Sequence, residues 1–116
     1  GVHAALTDKR VGLADNWLRH VKDVHQKHER YLGDVIPTPK RQDRLCELNV
    51  IEQVVNVCET TIVQDAWSRG QDLTVHGWAY RLETGLVKDL GMSSSSIEEM
   101  TERYSKSIKR YEPEQN

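Results

Sequence analysis

Leu73-Thr74-Val75-His76-Gly77-Trp78-Ala79-Tyr80 is the stretch on which the reading of this chain turns. It alternates with period two and is rich in β-formers. Glu83-Thr84-Gly85 then supplies a turn before Leu86-Val87-Lys88-Asp89-Leu90, so the spacing predicts a β-hairpin over about 72–90. Leu73, Val75 and Ala79 fall on one face and Trp78 and Tyr80 on the other, which makes both faces apolar or aromatic. A lone two-stranded hairpin is marginal in water, and one apolar on both sides calls for further strands beside it and helices above and below. No other stretch supplies a convincing strand. Gly77, inside the first strand, permits a close backbone approach.

Helical patterns surround the hairpin. From Leu13 to Leu32, Ala14, Trp17, Val21, Val24, His28 and Tyr31 recur at spacings of three and four, with Leu18, His25 and Leu32 beside them. This predicts an amphipathic helix over about 13–32, closed by Gly33 and a loop through Pro37 and Pro39. Over about 42–58, Leu45, Cys46, Leu48, Val50, Ile51, Val54, Val55, Val57 and Cys58 leave few polar directions, so that helix is expected to be buried on more than one side. Thr61 with Gln64 reads as a capping pattern opening a short helix over about 61–69, ended by Gly70. After Gly91 a run of serines leads to the capping box Ser96-Ile97-Glu98-Glu99. A C-terminal helix over about 96–111 follows, with the stripe Ile97, Met100, Tyr104, Ile108 and Tyr111.

Composition bounds what such a chain does. It has 116 residues, 16 Lys or Arg against 18 Asp or Glu, a formal charge of −2, 37% hydrophobic residues and no Phe. That is one thin-cored domain at most. Interleaved charges without a basic block offer no field for phosphates, so nucleic acid is not an expected partner. Nothing approaches the roughly 18 apolar residues of a membrane span, and the chain is expected to be soluble and cytoplasmic. It opens Gly1-Val2-His3 without a Met and is expected to be a portion of a longer protein.

Few residues carry chemistry. His20, His25 and His28 share the first helix, and His25 and His28 could both reach one ion, but no third ligand is placed by sequence; packing is the plainer reading. Cys46 and Cys58 are twelve residues apart in one helix, roughly 18 Å between Cα atoms, too far for a disulfide. They read as inert core thiols. No phosphate-binding glycine loop, nucleophile elbow or pair of carboxylates is present as a motif, so no catalytic residue is assigned. Tyr80, near the strand's end, offers a phenol to an anion or a polar ligand; a buried strand tyrosine with an ordinary hydrogen bond is the competing reading.

Several segments together resemble the C-terminal half of a bacterial-type β-class carbonic anhydrase: Gly12-Leu13 with Asn16-Trp17-Leu18, Leu45-Cys46-Glu47-Leu48-Asn49-Val50 with Glu52-Gln53-Val54, Ala66-Trp67 with Arg69-Gly70, and Val75-His76-Gly77-Trp78-Ala79-Tyr80. Order and spacing agree along nearly the whole chain. The resemblance implies an α/β fold in which a parallel sheet from the other half pairs with the His76 strand, the Leu86 strand adds antiparallel at the edge, and helices cover both faces. It implies a homodimer, or a tetramer built from dimers.

The resemblance also implies a zinc cofactor that activates water for attack on CO2, giving bicarbonate. In the family the ligands come from a C-x-D-x-R segment and a later C-G-H-x-x-C-G-G segment, and Gly1-Val2 resembles the end of the latter. No metal ligand is therefore expected in this chain. His3, His20, His25, His28, Cys46 and Cys58 do not match the family's ligand positions. Tyr80 does match a tyrosine that, in a bicarbonate-regulated subgroup, helps bind a non-catalytic, inhibitory bicarbonate. Its usual Trp and Arg partners belong to the other half, so Tyr80 alone implies a weak anion site. The chain by itself is expected to be inactive. The rival expectation is a non-catalytic helical interaction or oligomerisation module, docking through the Trp17 stripe and the open hairpin edge.

Overall fold

A threonine and a serine cap start two of the helices described below. The computed structural model describes residues 14–29 and 38–112, with Val2, Ala5 and Gly12 besides. The elements are α1 (Ala14–Lys27), α2 (Thr38–Cys58), α3 (Thr61–Ser68), β1 (Trp78–Arg81), β2 (Leu86–Asp89) and α4 (Ile97–Lys109). They fall into two compact units divided between Asn49 and Val50, within α2.

In the first unit, Leu18, Val21 and Val24 on α1 are buried in the expected three-and-four spacing, and His28 is buried just beyond the helix end. Tyr31 and Leu32 at the end of the stripe lie outside the described residues, as do the side chains of Ala14 and Trp17. Helix α2 starts earlier than the expected residue 42: Thr38 and Pro39 belong to it and not to the loop. Proline is tolerated there because the first-turn N–H groups have no intrahelical partner in any case. Nor is α2 buried all round. Leu45, Leu48, Ile51, Val54 and Cys58 form a buried stripe, whereas Cys46, Gln53, Asn56 and Val57 face solvent.

The second unit, residues 50–112, holds the end of α2, α3, the hairpin and α4. The cap of α3 is Thr60, one residue before the expected Thr61: its hydroxyl accepts from the Val63 amide. Gln64 instead sends its amide back to the Cys58 carbonyl at 2.9 Å, tying the corner between α2 and α3. The helix ends in a Schellman motif, with Gly70 N–H on the Trp67 carbonyl, Gln71 N–H on the Ala66 carbonyl, and Gly70 at φ 73°. Ser96 caps α4 through the Glu99 amide, while the Glu99 carboxylate reaches back to the Ser95 amide.

The hairpin is shorter as regular sheet than the alternation implied. Trp78 pairs with Asp89, Ala79 with Lys88, Tyr80 with Val87 and Arg81 with Leu86, across a loop in which the Gly85 amide bonds the Arg81 carbonyl. Residues 73–77 do not pair with β2. They meet the chain beyond it through an isolated bridge between Val75 and Ser94, and the Leu90 amide bonds the Gly77 carbonyl. The side-chain alternation nevertheless runs on through both parts: Leu73, Val75, Gly77 and Ala79 turn inward, and Thr74, His76, Trp78 and Tyr80 outward.

Candidate functional site

Gly77 fixes how the Tyr80 strand sits. A Cβ at Gly77 would lie 3.0 Å from Val54 Cγ2 and 3.2 Å from Met92 Cβ, so the strand backbone rests directly on α2 and on the Met92 segment. Trp67 on α3 holds the start of the same segment, its indole N–H donating to the Leu73 carbonyl at 2.9 Å. With the inward face so held, the next outward positions project from the surface. Trp78 is 56% exposed and Tyr80 61%.

The outward face is an aromatic row. His76 stacks on Trp78 with ring centroids 5.1 Å apart, and His76 Nδ1 shares a hydrogen bond of 2.7 Å with Ser93 Oγ. Tyr80 stands next along the row, its hydroxyl close to the hairpin turn, 3.8 Å from where a Gly85 Cβ would be. It is therefore not the buried, internally bonded tyrosine of the competing sequence reading. Its phenol is positioned to donate one hydrogen bond outward. Arg81, one residue on, projects to the opposite face, and Asp89 stands across from Trp78 with a carboxylate oxygen accepting the Gly91 amide. The Tyr80 face thus offers an outward phenol at the surface of the hairpin.

Metal ligation fares differently. His25 is half-buried, His28 is buried and His20 is exposed, but the described residues contain no group of three His, Cys, Asp or Glu side chains that could hold an ion. The described residues therefore bring together no ready-made ligand set for zinc. The cysteines divide. Cys58 is fully buried, as read from the sequence, while Cys46 is exposed, because position 46 falls beside the buried stripe of α2. Desolvation of the sulfur raises the pKa of each thiol, helped by Asp43 and Glu47 at Cys46 and by Glu59 at Cys58.

Two side-chain contacts that tie α4 down lie beyond the reach of apolar periodicity. The Tyr104 hydroxyl donates to Glu52 Oε1 at 2.6 Å, joining α4 to α2, and Ser107, 1% exposed, donates to the Leu90 carbonyl at 3.0 Å. The acid at position 52 inside an apolar run was a signal for the first. Ser107 gives none, since a helix serine is ordinarily solvated.

Helices flanking a hairpin of this kind make an α/β unit, and its comparisons with known proteins agree on one class. The family model described as carbonic anhydrase matches residues 1–87. A carbonic anhydrase from Emericella nidulans is 40% identical over 97 residues, which are 84% of this chain and 42% of that protein. A solved β-carbonic anhydrase from Coccomyxa, in complex with acetazolamide, superposes with a TM-score of 0.77 at 39% identity, covering 84% of this chain and 44% of that one. The chain belongs to the carbonic anhydrase family, in its β class. It spans less than half the length of these relatives.

Proposed function

We propose that these 116 residues are the C-terminal portion of a zinc-dependent β-carbonic anhydrase that interconverts CO2 and bicarbonate, and that the portion alone does not catalyse. The observation that carries this is the match itself, continuous over most of this chain yet under half of each relative. The metal and its ligands would come from the part of the relatives that this chain does not cover. What these residues contribute is the scaffold: α2, α3 and α4 hold the Gly77 strand, and β2 extends it. Family membership supports a homodimer or a tetramer as the working form.

Tyr80 belongs to the same proposal as a donor to a regulatory bicarbonate. Support for it is the outward, solvent-facing phenol at the end of the His76–Tyr80 row. The site is completed by cationic and aromatic groups outside this chain.

The test is direct. The isolated chain, purified without chelators, is expected to carry no stoichiometric zinc and to leave CO2 hydration at the background rate. One zinc per chain with robust turnover overturns the proposal. A second reading, a non-catalytic module that docks on a partner, is favoured by the exposed Trp78, Leu82, Leu86 and Val87. It requires the isolated chain to be folded and of defined mass, which circular dichroism and light scattering measure.

A further inference from the structure

Among the described residues the hairpin has two strands, and the chain that follows it pairs with the stretch leading into β1. Val75 and Ser94 exchange both backbone hydrogen bonds at 2.9 Å, and the Leu90 amide donates to the Gly77 carbonyl at 3.0 Å. Side chains repeat the pairing, Thr74 Oγ1 with Ser95 Oγ at 2.8 Å and His76 Nδ1 with Ser93 Oγ at 2.7 Å. The segment 90–95 is thus bonded to the stretch that leads into β1, and it runs on into α4. Helix α4 is itself pinned twice: the Tyr104 hydroxyl reaches Glu52, and buried Ser107 donates to the Leu90 carbonyl at 3.0 Å, with the Gly91 carbonyl at 3.4 Å. The family model ends at residue 87, so every one of these C-terminal groups lies beyond it.

Leu90 is the link. It is 2% exposed, its carbonyl accepts from α4 and its amide donates to the Tyr80 strand. We propose that segment 90–95 and α4 form a clamp that sets the strand carrying Tyr80, with Tyr104 and Ser107 as positioning residues that touch no ligand themselves. The proposal rests on the reading of Tyr80 as an anion donor. β1 is also held by its pairing with β2, by the seat of Gly77 and by the Trp67 donation to Leu73, and segment 90–95 adds the tie to α4, so a loosened α4 loosens the strand and its phenol together. A phenol held in one orientation binds better than one that must first be ordered.

The test uses the 116-residue chain with Ser107→Ala and, as the milder change, Tyr104→Phe, which keeps the ring and removes one hydroxyl. Hydrogen exchange of peptides covering 78–89 is expected to quicken roughly threefold to tenfold, the worth of one net hydrogen bond, while peptides covering 61–68 keep their rate. In parallel, bicarbonate is titrated against isotope-labelled tyrosine signals, where the Tyr80 response is expected to need severalfold more bicarbonate in both variants. Exchange unchanged in the hairpin, or quickened equally in α3, overturns the clamp. Faster exchange with an unaltered Tyr80 response overturns the positioning role. If Tyr80 in the unsubstituted chain does not respond to bicarbonate, the phenol by itself holds no anion and the positioning role falls, while the exchange pattern still decides the clamp.

Discussion

Gly77 shows how much one missing side chain decides. The 3.0 Å and 3.2 Å approaches of Val54 and Met92 leave no room for a methyl group, and both side chains are buried, so neither has open space to retreat into. Gly77→Ala is expected to cost about 1–3 kcal/mol by overpacking, seen as a lower urea midpoint at an unchanged slope. The thiols make a second residue-level prediction. Both are pushed up in the folded chain, so the folded state holds their protons more tightly than the unfolded state does. Their contribution is complete below the unfolded thiol value, about 8.5, and is lost as pH rises through the folded values. The urea midpoint is therefore expected to fall between pH 8 and 10, and to fall less in a Cys46→Ala, Cys58→Ala double variant. Iodoacetamide at neutral pH is expected to label exposed Cys46 first and Cys58 only on unfolding.

At the scale of elements, local chemistry sets where helices begin and end. Ser96 and Glu99 cap α4 as their spacing dictates, and Gly70 ends α3 because a left-handed residue there satisfies two last-turn carbonyls. Ser96→Ala is expected to destabilise the fold by about 1 kcal/mol and to fray the first turn of α4, visible as faster amide exchange at Glu98 and Glu99. Thr60 rather than Thr61 caps α3: either threonine can serve as an N-cap residue, and the path of the chain out of α2 selects Thr60 although only Thr61 has a glutamine three residues on. The 73–80 alternation was legible as side-chain direction but not as pairing. Its first half bonds to residues 90–95, a serine-rich stretch without strand character in its sequence.

At the scale of the molecule, the hairpin that most needs neighbours is strongly exposed. Leu82 is 88% exposed, Leu86 67% and Val87 55%, beside the two outward aromatics. Apolar groups on both faces of a two-stranded sheet are an unfinished surface. The isolated chain is expected to bind the dye ANS and to gain mass with concentration in light scattering. A Leu82→Lys, Val87→Lys variant is expected to reduce both without loss of helix signal.

Apolar periodicity and caps are local properties, so the sequence by itself determined the helices, the hairpin and, through several spaced segments together, the β-carbonic anhydrase class. Tertiary structure alone decided which thiol is buried, which threonine caps α3, that Tyr80 faces solvent, and that Tyr104 and Ser107 hold α4 to Glu52 and Leu90. These depend on groups far apart in the chain, up to 52 residues for Tyr104 and Glu52, whose meeting no short-range pattern encodes.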